Sequence, residues 1–103
     1  MLNKLFHIRD QVAVVTGGGT GLGKHMAEAL AASGCHVAIC SRKVENCRQT
    51  AENIQKQYNI HAKGYQCFVQ NEESVLQFIT EVINDFGKIE ILINNSGTTW
   101  GAD

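Results

Sequence analysis

The sequence predicts an α/β fold of the Rossmann type, a doubly wound parallel sheet with helices on both faces. Three observations carry that expectation. Residues 11–23 read Gln-Val-Ala-Val-Val-Thr-Gly-Gly-Gly-Thr-Gly-Leu-Gly, an apolar strand running through a glycine-rich turn into a helix. Downstream, apolar strands alternate with amphipathic stretches at a steady rhythm, as crossover units of a parallel sheet require. Residues 89–93, Ile-Glu-Ile-Leu-Ile, are almost wholly apolar, the composition of a strand covered on both faces.

Taken in order, the first strand occupies residues 12–15, and the glycine turn leads into a helix opening near Gly21. Met26, Ala27, Leu30 and Ala31 share one face of that helix, and Gly34 ends it. Residues 36–40, His-Val-Ala-Ile-Cys, form the second strand. Val44, Cys47, Ala51, Ile54 and Tyr58 then recur at helical spacing, with Ser41 as the expected N-cap. A third strand is expected over residues 63–69. The third helix shows an unbroken apolar stripe of Val75, Phe78, Ile79, Val82, Ile83 and Phe86. Asn71 is placed to cap it, Glu72 and Glu73 favour its first turn, and Gly87 stops it. The fourth strand covers residues 89–93. The resulting β-α-β-α-β-α-β order, with right-handed crossovers, gives a sheet ordered 3-2-1-4. Ahead of the first strand, Leu5, Phe6 or Ile8 is expected to pack beside it.

The glycine turn has the makings of a phosphate cradle. Glycines allow positive φ and close approach of a ligand to the backbone, while the helix start offers unpaired N–H groups and a positive dipole end. The dinucleotide pattern Gly-x-Gly-x-x-Gly fails, since it would need a glycine at Leu22 or Lys24. What fits is Thr-Gly-x-x-x-Gly-x-Gly, with Thr16, Gly17, Gly21 and Gly23. Glycine turns also close ordinary strand–helix joints, so the turn alone leaves both readings open.

The end of the second strand meets the adenosine ribose in dinucleotide folds, and an acidic residue there excludes a 2′-phosphate. This chain has Ser41-Arg42-Lys43 instead, with no carboxylate before Glu45. A planar guanidinium suits phosphate, so NADP(H) is favoured over NAD(H). The alternative is that Arg42 and Lys43 merely open a solvated helix, which for Lys43 is a sufficient role.

These segments together resemble the short-chain dehydrogenase/reductase family over essentially the whole chain. The family's glycine motif is matched by residues 16–23, and its Asn-Asn-Ala-Gly motif reads Asn94-Asn95-Ser96-Gly97 here. The approach to that motif, Phe-Gly-Lys-Ile-Glu-Ile-Leu-Ile, is also similar. Two motifs at family spacing are far more specific than either alone. The resemblance implies cofactor contacts from Gly17, Thr20, Gly21, Leu22 and Gly23 in the turn. It adds Ser41 and Arg42 after the second strand, Val69 after the third, and Asn95, Ser96 and Gly97 after the fourth. The implied reaction is hydride transfer between a nicotinamide and a carbonyl or alcohol. Asp85-Phe86-Gly87 spells a kinase metal-binding triplet, but no kinase glycine loop, lysine or catalytic loop accompanies it. It is expected to be a helix end, with Phe86 buried and Gly87 as the stop.

Composition narrows the field. The chain has 103 residues, one domain at most, and a net charge of −1 with mixed signs, so it carries no nucleic-acid or membrane-surface footprint. The first ten residues hold no continuous apolar run and read as neither signal peptide nor membrane span. Cys35, Cys40, Cys47 and Cys67 lack metal-ligand spacing, with Cys40 and Cys67 in strands and Cys47 on an apolar helix face. Reduced thiols point to the cytoplasm.

Two departures from the family matter. Phe68 stands where the family shows an acid that contacts the adenine edge, so stacking or pocket filling replaces a hydrogen bond. More consequentially, the family's catalytic Tyr-x-x-x-Lys is absent: Ala62 lies four residues after Tyr58, and Val69 four after Tyr65. No catalytic residue is named, and Trp100 is left between a substrate contact and core packing. Residues 1–103 are therefore read as an incomplete dinucleotide-binding domain, a truncated cofactor-binding part of an NADP(H)-dependent oxidoreductase, inactive alone. Its expected partners are the dinucleotide and, in a completed enzyme, a small carbonyl or alcohol. Two alternatives stand beside it: a noncatalytic nucleotide-binding module, and an interaction fragment that pairs, or forms a homo-oligomer, through the open edge of the fourth strand.

Overall fold

A computed structural model describes residues 8–95. Strands β1 (Val12–Thr16), β2 (His36–Ser41), β3 (Ala62–Gln66) and β4 (Ile91–Asn94) alternate with helices α1 (Gly21–Ala32), α2 (Val44–Tyr58) and α3 (Glu72–Phe86). The strands form one parallel sheet in the order β3-β2-β1-β4, as the sequence predicts. β1 is central and buried at all five positions.

Because side chains alternate along a strand, β1 and β2 feed two cores. Ala13, Val15, Val37 and Ile39 meet Ala27 and Ala31 of α1 and Cys47, Ala51 and Ile54 of α2. On the other face, Val12, Val14, Ala38 and Cys40 meet Phe78 and Val82 of α3, joined by Tyr65 and Cys67. Two helices thus cover one face and a single helix the other. The asymmetry shows at β4. Ile91 and Ile93, in register with Ala13 and Val15, pack on the two-helix core. Leu92, in register with Val14 on the one-helix face, is 47% exposed.

Helix α3 begins and ends where the sequence places its signals. The Asn71 side chain accepts the Ser74 N–H at 2.9 Å, and Gly87 closes the helix at φ 87° with its N–H on the Ile83 carbonyl. Phe86 is half-buried and stacks on His61 at 4.4 Å between ring centroids. Leu5 and Phe6 lie outside the described residues, and the Ile8 carbonyl accepts the Gln11 N–H and the Cys35 thiol.

Four expectations are corrected. Ser41 belongs to β2 and is not the N-cap of α2; that position falls to Lys43, which makes no side-chain cap. Two residues are needed to turn from strand to helix, so the Ser41 hydroxyl instead donates to the Lys43 carbonyl and accepts the Cys47 thiol, tying strand end to helix. β3 stops at Gln66, short of residue 69, leaving Cys67 just beyond it. There the backbone turns to serve α3, with the Phe68 N–H on Ser74 Oγ and the Phe68 carbonyl accepting Asn71 N–H. β4 starts at Ile91, not residue 89, because the Glu90 carboxylate takes the Val12 N–H at 2.7 Å in place of a ladder carbonyl. Ile83, expected in the buried stripe, is 42% exposed, since no second helix packs beside α3 among the described residues.

Candidate functional site

At the carboxyl ends of the strands, β1 delivers Thr16 and then Gly17, whose φ of +66° favours glycine. The N–H groups of Gly17 and Gly18 both donate to the Cys40 carbonyl, at 2.8 and 3.3 Å, holding the turn against β2. Gly23, in the first turn of α1, packs directly on Gly17. A Cβ at Gly23 would lie 2.0 Å from the Gly17 carbonyl oxygen and 2.8 Å from Asn95 Nδ2. No side chain longer than hydrogen fits there without moving main chain.

Thr20 precedes α1 in an extended conformation, exposed, and its side chain makes no capping bond. The first turn also lacks an acidic residue. The opening N–H groups of α1 therefore keep both their hydrogen-bonding capacity and the positive dipole end. Gly21, at φ +60°, and Leu22, 61% exposed, border open space.

Sequence reasoning assigned no role here to Thr50, whose buried hydroxyl donates to the Gly19 carbonyl at 2.9 Å and pins the turn to α2. It also placed Thr16 in the motif without a task. The Thr16 hydroxyl donates to Asn94 Oδ1 at 3.0 Å and accepts the Asn95 N–H at 2.9 Å. One buried oxygen thus joins the glycine motif to the Asn-Asn motif. A threonine closing a fully apolar strand was the available signal for it. Ser96 and Gly97, like Trp100, lie outside the described residues.

Beside the turn, a cleft of about 580 Å³ opens between the ends of β2 and β3. Gly17, Ser41, Arg42 and Val69 line it, as the sequence reading grouped them, together with Cys67, Phe68, Gln70 and Asn71. The Arg42 carbonyl accepts Gln66 Nε2 at 3.0 Å, which fixes its main chain. Its guanidinium is exposed and forms no ion pair among the described residues. Among the described residues, no carboxylate lines the cleft. An uncapped helix start, a side-chain-free turn and an unpaired guanidinium form a donor set that fits a phosphorylated nucleotide.

A second cleft of about 620 Å³ along β3 shares Phe68 and Asn71 with the first but holds none of the residues expected to contact the cofactor. Tyr65 in its wall donates to Asp85 Oδ2 at 2.6 Å, and Lys63 Nζ lies 2.8 Å from the same oxygen. Hydrogen bonds from Lys63 and Tyr65 hold the Asp85 carboxyl below its usual range. Burial, with the neighbouring Asp85 carboxylate, pushes the Tyr65 phenol up, so it stays protonated and keeps its hydrogen bond to Asp85. Among the described residues, no His/Cys/Asp/Glu group is arranged for a metal ion, and no helix is long and apolar enough to cross a membrane.

Comparison with known proteins bears on this geometry. The short chain dehydrogenase family model matches residues 11–103. A probable NADP-dependent mannitol dehydrogenase of Yarrowia lipolytica is 38% identical over 97 residues, covering 94% of this chain and 34% of the relative. The L-sorbose reductase of Gluconobacter frateurii, solved with NADPH and L-sorbose, superposes with a TM-score of 0.84 at 29% identity, covering 93% of this chain and 36% of that one. An NAD⁺-bound xylitol dehydrogenase superposes equally well, TM-score 0.84 at 31% identity, covering 90% of this chain and 35% of that one. The chain spans about a third of the length of the curated relatives it matches.

Proposed function

Because the chain belongs to the short-chain dehydrogenase family, we propose that it forms the cofactor-binding part of an NADP(H)-dependent oxidoreductase acting on a carbonyl or alcohol. In this reading Gly17, Gly21 and Gly23, with Thr20 and Leu22 at the helix opening, present main-chain donors to the pyrophosphate. Ser41 and Arg42 take the phosphorylated ribose, Val69 lies against the base, and the family resemblance assigns Asn95, Ser96 and Gly97 to the cofactor as well. When bound, the nicotinamide supplies or receives a hydride; the residues here bind and orient it. Tyr58 and Tyr65 each lack a lysine four residues on, so no catalytic residue is assigned among these 103 residues.

The single observation carrying the cofactor choice is the Arg42 guanidinium, which has no ion pair among the described residues and stands on a cleft that no described carboxylate lines. The fold alone does not decide it, since solved neighbours hold NADPH in one case and NAD⁺ in another. Each charge-assisted hydrogen bond to a phosphate contributes roughly 1.5–3 kcal/mol. Calorimetry on the chain is expected to show NADPH binding ahead of NADH. The substitution Arg42→Ala is expected to shrink that gap by about ten- to a hundredfold. Equal affinities in the unmutated chain would remove Arg42 from this role.

A further inference from the structure

We propose that the open edge of β3 is a docking groove for an extended segment of another protein, which joins the sheet as an added strand. The segment it fits carries basic side chains two alternations apart on the side that faces α3. This surface does not depend on the cofactor reading.

Helices α2 and α3 cover opposite faces of the sheet, so a cleft walled by both lies beyond the edge strand. The second cleft is of that kind: Val44 and Arg48 come from α2, Gln77 and Glu81 from α3, and residues 63–66 form the floor. That floor is partly unpaired main chain. The His61 carbonyl accepts the Val37 N–H, and the Cys67 N–H donates to the Ser41 carbonyl. In a parallel ladder alternate residues bond to the same neighbour, so residues 61, 63, 65 and 67 face β2. Ala62, Gly64 and Gln66 therefore turn their N–H and C=O groups outward. Gln55 Oε1 takes the Ala62 N–H at 2.9 Å and closes that end of the edge. The outward main-chain groups of Gly64 and Gln66 have no partner among the described residues. An edge left open in this way is a template for another strand.

Charge selects the strand. Lys63 Nζ lies 2.8 Å from Asp85 and Arg48 lies 3.6 Å from Glu45, so the basic groups of the groove have counter-ions. Glu73 and Glu81 form no ion pair among the described residues. With Gln77 they stand four residues apart along the α3 wall, roughly 6 Å per step. Same-side residues of an extended strand recur at roughly 6.6 Å, nearly the same interval. Three successive same-side residues thus meet Glu73, Gln77 and Glu81, and the fitting order is basic, polar, basic in either chain direction. The same carboxylates argue against a second copy of this chain. Two β3 edges paired antiparallel about a two-fold axis would put both α3 helices on one side of the joined sheet, with Glu73 and Glu81 facing their own copies.

The test titrates a fluorescently labelled, end-blocked peptide, Lys-Val-Thr-Val-Lys, with the 103-residue chain and reads anisotropy. It is expected to bind at least about tenfold more tightly than Glu-Val-Thr-Val-Glu. Replacing both exposed carboxylates, Glu73→Gln with Glu81→Gln, is expected to weaken it by about tenfold with Tm nearly unchanged. Only alternate peptide residues turn their main chain toward β3. N-methylation of the two valines is therefore expected to abolish binding to an antiparallel strand site, and N-methylation of the threonine and final lysine to a parallel one. One of these modified peptides is expected to fail and the other to bind. Equal binding of the basic and acidic peptides, or indifference to both N-methylations, overturns the proposal. A chain that sediments as a dimer which the peptide dissociates gives the edge to a second copy, and overturns it as well.

Discussion

At the turn end of the cleft the surfaces are main chain: Gly17 and Gly18 N–H groups on the Cys40 carbonyl, and Gly23 pressed on Gly17. At the other end, the base end of the proposed function, they are side chains, Arg42, Phe68, Val69 and Gln70, standing on loops after β2 and β3. The first end admits almost no substitution, because its shape is the backbone path itself. The second admits many, because a side chain there changes what is bound without changing where the chain runs.

Breaking the turn end gives the largest effect. Gly23→Ala forces a methyl to within 2.0 Å of the Gly17 carbonyl, so the turn must move. Nucleotide binding is expected to vanish in calorimetry, with a lowered Tm, whereas the base-end substitutions Arg42→Ala and Phe68→Leu leave Tm nearly unchanged. Thr16→Val tests the same end more gently. It leaves the half-buried Asn95 N–H without its partner, a loss of about 1 kcal/mol. Denaturant titration is expected to show that loss, with both nucleotides weakened to the same degree. The smallest effect sharpens the contrast from the other side. Asn71→Ala removes the α3 cap beneath the base-end loop, costing about 1 kcal/mol of stability. Its effect on binding is expected to be severalfold at most, measured by the same calorimetry.

Much of this was legible in the sequence because periodicity and glycine are local signals. The strand order follows from alternating elements and crossover handedness, and the limits of α3 from Asn71 and Gly87. The grouping of Gly17, Ser41, Arg42 and Val69 follows from each standing at or just beyond a strand's carboxyl end. The misses were contests between a strand ladder and a competing side chain. Ser74 Oγ captured the Phe68 N–H and ended β3 early, and the Glu90 carboxylate captured the Val12 N–H and delayed β4. Thr50 on Gly19 was invisible for another reason: the partners lie far apart in sequence and neither residue type announces the bond. Ile83 fell on the stripe because periodicity reports a helix face, not whether anything covers it.

All four cysteines are buried, and burial pushes the Cys35, Cys40, Cys47 and Cys67 thiols above their ordinary range. Thiolate, the species that reacts with alkylating reagents, is therefore scarce in the closed molecule. Each sulfur then serves as a clock for the opening of its own surroundings: Cys35 beside the start of the sheet, Cys47 on the inner face of α2, Cys40 and Cys67 beneath α3. Cys67 alone among them also lines the cleft, so a bound nucleotide would slow its clock directly and the other three only through the fold as a whole. The protein thus carries its own distinction between local shielding and global tightening, written in the order in which its sulfurs react.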